Sequence, residues 1–308
     1  MQSSKATESA FQSPDMSDGL FSRFSEFIYA ECGIKLTAAK KTMLTVRLLK
    51  RLRALGMNSF GQYYDYVYSP EGRLEELTRM IDVVSTNKTD FFRESAHFDF
   101  LRNRGLPNLV SSKNNDSYKK LNIWSAGCSS GEEPYTLAMV LSEFFNGRRN
   151  KDQAMRDQQL GEPSTRPLHR FSILATDIST RMLATAKKAI YPKRMVEPVP
   201  PMMKRKYLMR GKGSQNGFCR VVPELRNCIN FQRLNLMDRD FGIRVPMDII
   251  FCRNVIIYFD RQTQIALFEK FYDQLVTGGY LFIGHSESLH GISDRFDPVA
   301  TTIYRKPE

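Results

Sequence analysis

The stretch Trp124-Ser125-Ala126-Gly127-Cys128-Ser129-Ser130-Gly131-Glu132-Glu133-Pro134-Tyr135 carries an apolar strand through a Gly-x-x-x-Gly bend straight into a helix. Leu121, Ile123 and Trp124 supply the short apolar run of a buried strand, and the small residues behind it let backbone approach a ligand closely. Pro134 suits a first-turn position, and Leu137, Ala138, Leu141, Phe144 and Phe145 recur on one face of the helix that follows. In open α/β sheets, ligands bind beyond the carboxyl ends of the strands, where such a bend lies. An ordinary tight turn reads the same way, so this stretch alone leaves both readings open.

The chemistry of the bend narrows the ligand. It holds no Gly-x-Gly-x-x-Gly and no Walker-type lysine, and Glu132 and Glu133 occupy the first helical turn, where they would repel a pyrophosphate. A phosphate-free ligand bearing positive charge fits better, and S-adenosyl-L-methionine, with its sulfonium and ammonium, has that character. Phe171 to Asp177 reads as a second strand, and a carboxylate at its tip accepts hydrogen bonds from both ribose hydroxyls.

Further along, Asp248 to Asp260 reads as a buried strand running into the polar pair Arg253-Asn254. Asp260 is placed to cap a helix carrying Ile265, Leu267, Phe268, Phe271 and Leu275, which ends before Gly278-Gly279. Tyr280 to Gly284 is a further strand and Thr301 to Tyr304 the last. Strand alternating with helix predicts an α/β fold, a mostly parallel sheet with helices on both faces.

Punctuation predicts the organisation. Residues 1–16 are polar and rich in Ser and Gln, and read as a disordered tail; residues 17–90 form an all-α domain, 91–120 a linker, and 121–308 the α/β domain. In the helical domain, Phe21, Phe24, Phe27 and Ile28 mark a first helix, Thr37 to Leu55 a second capped by Thr37 and ended by Gly56, Phe60 to Tyr68 a third, and Leu74 to Val84 a fourth. Ser111 to Asp116 reads as a surface loop, and Asn146 to Arg170 as an exposed insertion. Between 191 and 231, prolines and glycines break the pattern around Gly217 to Val222, which predicts a small antiparallel element.

Composition limits the class. The formal net charge of +12 predicts an acidic partner, either nucleic acid or an acidic protein surface. Lys40, Arg47, Lys50 and Arg51 fall within about a 100° arc of the second helix, a basic stripe that also suits plain solvent. Five cysteines without a Cys-x-x-Cys pair and four scattered histidines point to neither a disulfide framework nor a metal. No apolar run reaches membrane-span length and the polar start lacks a signal-peptide core, so a cytoplasmic, non-inserted protein is expected.

Four motifs in series carry a family resemblance: Thr86 to Glu94, Ser125 to Tyr135, Asp248 to Asp260, and Gly284-His285-Ser286-Glu287-Ser288. Over roughly residues 18 to 307 the chain resembles the chemotaxis receptor methyltransferases of the CheR family. The resemblance implies a Rossmann-like S-adenosylmethionine-dependent methyltransferase sheet with a small β-subdomain at about 191–231. It implies methylation of receptor glutamates to methyl esters, with S-adenosyl-L-homocysteine as product, by a monomeric enzyme. By the same resemblance, Asn87, Thr89 and Arg93 contact the cofactor from the joining segment, and Glu133 its methionine or adenosyl portion. Gly127 belongs to the cofactor bend, Asp177 to the ribose, Asn235 and Leu236 to the adenine, and Arg253 with Asn254 lies beneath the sulfonium. Arg93 is the candidate carboxylate holder, since a guanidinium grips such a group through two parallel bonds, and Tyr258 the candidate near the transferred methyl. The basic stripe would face the receptor, and Lys204, Arg205, Lys206, Arg210 and Lys212 would suit an acidic receptor tail at the β-subdomain.

Two rivals belong beside this reading. A nucleic-acid methyltransferase would share the sheet and the charge, but no Asn/Asp-Pro-Pro-Tyr/Phe segment and no Pro-Cys nucleophile is present. A non-catalytic S-adenosylmethionine-binding signalling module would keep the pocket and leave receptor glutamates unmodified. The Ser, His and Glu of the fourth motif lack the Gly-x-Ser-x-Gly elbow of a hydrolase, so that segment is assigned to a loop near the cofactor.

Overall fold

A computed structural model describes residues 14–112, 120–157 and 170–308. The expectations for the first thirteen residues, for most of the 111–116 loop and for positions 158–169 of the insertion lie outside the described residues. The chain divides between Ser85 and Thr86 into two compact units, five residues before the boundary expected from the motifs.

The first unit is helical: α1 (Asp18–Cys32), α2 (Lys41–Leu55), α3 (Phe60–Tyr68), α4 (Pro70–Glu75) and α5 (Leu77–Val84). Ser17 caps α1, its Oγ accepting from the Leu20 amide at 3.2 Å, and Gly33 ends it in the left-handed region at φ 72°. Met16, read as part of the tail, is buried. A 3₁₀ turn, Ala38–Lys40, precedes α2, and Thr37 makes no side-chain capping bond. Leu44, Leu48 and Leu52, four apart, form the buried seam of α2, whereas Val46 is exposed. The single helix expected over 74–84 is two helices. The reason is an N-terminal signal that the apolar pattern masks: Pro70 stands at the start of α4 and the Ser69 hydroxyl accepts from the Gly72 amide.

Two cations of the basic stripe on α2 also make contacts inside the helical unit. Arg51 donates through Nε and Nη2 to the two oxygens of Glu76, at 2.6 and 2.8 Å, and Glu76 is fully buried. The Tyr63 hydroxyl donates to the same carboxylate at 3.0 Å. Arg47 donates to the carbonyls of Val84 and Ser85. Lys40 and Lys50 remain exposed. The spacing that gathers four cations on one arc says nothing of which of them a neighbouring helix will claim.

In the second unit, α6 (Ala96–Phe100), a π-helical turn (Leu101–Gly105) and α7 (Leu106–Ser112) fill the segment expected to be a linker. Beyond them lie β1 (Leu121–Ala126), α8 (Glu132–Asp157), β2 (Phe171–Asp177), α9 (Thr180–Lys188), β3 (Ile190–Pro192), α10 (Pro201–Tyr207), β4 (Leu208–Arg210), β5 (Phe218–Val221), α11 (Pro223–Arg226) and β6 (Ile229–Arg233). Strand β7 (Met247–Cys252), α12 (Arg261–Gln274), β8 (Leu275–Ile283), β9 (Asp297–Ala300) and β10 (Ile303–Arg305) complete it. Helix α8 runs to Asp157, so the first part of the expected insertion continues the helix.

The seven-stranded sheet has the order β6-β2-β1-β7-β8-β10-β9; its first five strands are parallel and the last two antiparallel. Residue alternation puts Ile123, Ile249, Phe251, Tyr280 and Phe282 into one core and Trp124, Ile250, Cys252, Leu281 and Ile283 into the other. The first core is covered by α6, the π-helical turn, α7 and α8 through Phe98, Leu101, Leu109, Leu137 and Leu141; α12 covers the second through Leu267, Phe268 and Phe271. This is the expected methyltransferase-like α/β sheet. Asp260 caps α12 as expected, its Oδ1 accepting from the Thr263 amide at 2.9 Å. Gly278 and Gly279 lie inside β8 at a register shift against β7, not ahead of the strand. Strands β3, β5 and β4 form a separate antiparallel sheet within the span predicted for one.

Candidate active site

All five parallel strands deliver named residues to their carboxyl ends, and β1 is the switch point: the chain leaves it towards β2 on one side and β7 on the other. At this tip Gly127 adopts φ 81°, and a Cβ there would run into the Val255 side chain. On the other side of the same dipeptide, a Cβ on Gly284 would stand 2.5 Å from Asn254 Nδ2 and 2.8 Å from its backbone nitrogen. The Asn254-Val255 turn at the tip of β7 is therefore wedged between two positions that admit only glycine.

The rim concentrates left-handed backbone. Six non-glycine residues among those described have positive φ, and Phe92 (55°), Glu94 (56°), Ser129 (49°) and Asn254 (59°) all lie here. Such conformations cost of order 1 kcal/mol or more each for residues other than Gly and Asn. They persist because hydrogen bonds hold them. Asp177 Oδ2 accepts from the Ser129 amide at 2.8 Å and Oδ1 from the Ser179 amide at 2.8 Å. Ser129 Oγ donates to the Asn87 carbonyl at 3.0 Å, and the Phe92 amide donates to Thr136 Oγ1 at 3.2 Å. The joining segment that begins at Thr86 is thus tied to the glycine-rich bend.

Arg253 organises the centre. Its side chain is 2% exposed; Nε donates to Glu133 Oε2 at 2.8 Å and Nη1 to the Arg93 carbonyl at 2.8 Å. Nη1 also lies 3.4 Å from Glu94 Oε2 and 3.0 Å from His97 Nδ1, and the rings of Phe98 and Phe251 lie within cation–π range of the guanidinium. Every one of these contacts is internal, so the guanidinium sets the positions of Glu133 and of the 93–97 segment. Glu133 Oε1 meanwhile accepts from Ser125 Oγ at 2.7 Å. Asn254 Nδ2 donates to Glu94 Oε1 at 3.2 Å.

His97 is wired on both nitrogens. A guanidinium can only donate, so Nδ1 accepts, and the proton sits on Nε2, which faces Thr302 Oγ1 at 2.8 Å; that hydroxyl donates to the Thr301 carbonyl. Burial, then the Arg253 charge, hold the imidazole pKa down at about 4, so His97 is neutral near pH 7. Burial raises the Glu94 carboxyl, but the Asn254 amide and Arg253 outweigh it and hold it below the usual range. Glu94, His97 and His285 bring donor atoms within 4.8 Å of one another. The fixed cation Arg253 already stands against two of the three, and His97 spends both nitrogens, so the charge demand of that cluster is met from within the chain.

Glu132, fully buried, accepts from Ser130 Oγ at 3.0 and 2.8 Å, and burial pushes its carboxyl up to about 7. The Tyr191 hydroxyl donates to the Ser130 carbonyl at 2.7 Å, anchoring the bend to β3. Arg93 is half-buried and donates from Nη1 to the Lys88 carbonyl at 2.9 Å. Asn235 and Leu236 form the turn beyond β6, where Asn235 Oδ1 accepts from the Met237 amide at 3.1 Å. Tyr258 is half-buried on the 3₁₀ turn Ile256–Tyr258, and Thr89 is half-buried in the joining segment.

Of the residues expected from sequence, Asn87, Gly127, Glu133, Asp177, Arg253 and Asn254 converge through these contacts. Glu94, His97, Ser125 and Glu287 were not singled out, although they hold that group in place. The Glu94-x-x-His97 spacing, an acid and a histidine one helical turn apart, was the available signal for two of them. The rim fits the cofactor that the motifs imply: backbone close to a ligand at Gly127, carboxylates at 94, 133 and 177, and no lysine or arginine among the first residues of α8 to hold a phosphate.

Comparison with known proteins gives the same address. Residues 20–85 match the family profile described as "CheR methyltransferase, all-alpha domain", and residues 87–156 and 159–305 match "CheR methyltransferase, SAM binding domain". A chemotaxis protein methyltransferase of Borreliella burgdorferi is 38% identical over 92% of this chain and 93% of its own length. The chemotaxis protein methyltransferase of Escherichia coli is 36% identical over 94% and 91%, and chemotaxis protein methyltransferase 2 of Pseudomonas aeruginosa 34% over 92% and 91%. No helix among the described residues is long and apolar enough to cross a membrane.

Proposed function

Because the chain belongs to the CheR methyltransferase family, with S-adenosyl-L-methionine as its cofactor, we propose that it methylates glutamate side chains of chemotaxis receptors to methyl esters. The observation that carries this reading is the match to chemotaxis methyltransferases over more than nine-tenths of the chain, spanning both units. The bound cofactor supplies an electrophilic methyl group and departs as S-adenosyl-L-homocysteine. A glutamate carboxylate is already an anion at neutral pH, so no base need remove a proton. The protein's task is alignment and exclusion of water, and alignment is worth several kcal/mol (roughly 7–11 in the best intramolecular cases).

The roles that this reading gives the residues are as follows. Asp177, at the tip of β2, accepts from the Ser129 and Ser179 amides and is the carboxylate assigned to the ribose hydroxyls. Glu133, held by Arg253 and Ser125, faces the positive part of the cofactor. Asn254 would lie beneath the sulfonium of the bound cofactor, and Tyr258 near the methyl it transfers. Arg93 holds a carboxylate with the donors not spent on Lys88. Asn87, Thr89, Asn235 and Leu236 line the adenosyl side. Lys40 and Lys50 meet acidic receptor surface, and the exposed Arg205, Lys206, Arg210 and Lys212 of the small-sheet region suit an acidic receptor tail. The enzyme acts in the cytoplasm as a monomer.

Incubation with labelled methyl donor and a receptor cytoplasmic fragment tests the reading. Label released by mild alkali, as from a carboxyl ester, is the expected result. Label stable to alkali, or no label on receptor despite cofactor binding, would refute it.

A further inference from the structure

The Glu287 side chain sits where two strand tips meet. The residue is 6% exposed. Its Oε2 accepts from the Asn254 amide at 3.0 Å and from the Gly284 amide, joining the tip of β7 to the tip of β8. Burial pushes its carboxyl above the usual range, while the amides of Gly284, Asn254 and Ile257 act against that shift, so the 254–257 loop gathers around one carboxyl group. Oε1 is buried and makes no hydrogen bond. A buried polar oxygen left without a partner is costly, so a group that kept only a generic structural duty would be better served by a smaller acceptor.

What the carboxyl holds is unusual backbone. Asn254 is left-handed at φ 59°, and Gly284 must lack a side chain because a Cβ there would stand 2.5 Å from Asn254 Nδ2 and 2.9 Å from Glu287 Oε2. Asn254 is therefore pinned from three directions: its amide by Glu287, its side chain by Glu94 at 3.2 Å, and its flank by Gly284. Removing the Glu287 acceptor frees the amide that keeps the turn in this conformation and leaves the side-chain bond to Glu94 to hold it alone.

We infer that Glu287 is a positioning residue for cofactor binding, acting through Asn254 by clamping the β7 tip onto the β8 tip. This rests on the placement of Asn254 against the cofactor, not on the identity of the methyl acceptor. The test is accordingly made on S-adenosyl-L-homocysteine affinity by calorimetry, which stands or falls independently of receptor methylation. Glu287→Ala should weaken affinity about tenfold, as expected for loss of an acceptor shared by two backbone amides. Glu287→Gln, whose amide oxygen still accepts both N–H bonds, should stay within about threefold of the parent. In an Asn254→Gly background, which keeps the left-handed turn and removes the side-chain amide, Glu287→Ala should cost less than about twofold, because the residue it positions is gone. Gly284→Ala, pressing on the same joint from the opposite side, should reproduce the loss if the Glu287→Ala protein does not fold. The inference is overturned if Glu287→Ala costs the same factor with and without Asn254, if Gln fails as badly as Ala, or if neither Glu287→Ala nor Gly284→Ala changes affinity.

Discussion

Arg51 in the helical unit and Arg253 at the sheet rim both bury a guanidinium against glutamate, and they differ in what surrounds the pair. Arg51 meets Glu76 through two parallel bonds, with Tyr63 closing the carboxylate, and the three residues come from α2, α3 and the junction of α4 and α5. None of the three has positive φ. Arg253 spreads its donors over Glu133, the Arg93 carbonyl, Glu94 and His97, and Glu94 and the adjoining Asn254 are left-handed. A buried ion pair does not by itself mark function. Strained backbone gathered around one, at the carboxyl ends of parallel strands, does, because the energy held there must be offset by contacts that fix side chains for a ligand.

Glu76→Ala tests the structural half and should have the largest effect. It strands a half-buried Arg51 and the Tyr63 hydroxyl and should cost about 3–5 kcal/mol of helical-unit stability in a urea titration. S-adenosyl-L-homocysteine affinity should stay within about twofold; a comparable collapse of affinity would erase the distinction between the two networks. Asp177→Ala comes next. Two backbone amides lose their acceptor along with the expected ribose bonds, so affinity should fall by about 30- to 100-fold, or roughly 2–3 kcal/mol. Unchanged affinity would remove Asp177 from the site.

Titration sharpens the contrast further. The Glu132 carboxyl has a folded pKa of about 7 against an ordinary 4.5, so the unfolded chain ionises first, and this residue's stabilising contribution falls as pH rises from about 4.5 to about 7. His97 acts with the opposite sign: with its pKa at about 4 against 6.5, its contribution is intact above 6.5 and is lost as pH falls towards 4. Subtracting the pH–stability curve of Glu132→Gln from that of the parent isolates the first slope; a flat difference between pH 4.5 and 7 would mean that Glu132 is ionised in the fold. The smallest effect belongs to the exposed cations. Lys40→Glu with Lys50→Glu should lower the rate on receptor severalfold at low ionic strength, with cofactor affinity untouched and the deficit shrinking as salt is added. A salt-independent or absent deficit would return both lysines to plain solvent contact.

The strands and the bend were legible because their signals are local. The apolar run at β1, the span of β2 up to Asp177 and the Asp260 cap each depend on a few adjacent residues. The same locality explains the errors. The stronger apolar pattern of α5 masks the α4 cap at Ser69-Pro70, and the glycines of β8 read as a break because a register shift is invisible until β7 lies alongside. Angular spacing on α2 cannot show that Glu76 and the Val84 and Ser85 carbonyls lie in reach of Arg51 and Arg47. At the rim, Glu287 looked like one polar residue in a loop motif.

The amino-acid order alone determined the alternation of strand and helix, the glycine-rich turn, the carboxylates and the family. Period, turn chemistry and motif order are written in neighbouring residues. Tertiary structure alone decided that Arg253 faces inward to Glu133 and His97, that Arg47 and Arg51 are spent inside the helical unit, and that Gly127, Asn254, Gly284 and Glu287 form one joint. Those facts depend on helix packing, strand order and left-handed backbone, which bring together residues as far apart as Arg253 and His97, 156 positions, and no local propensity encodes them.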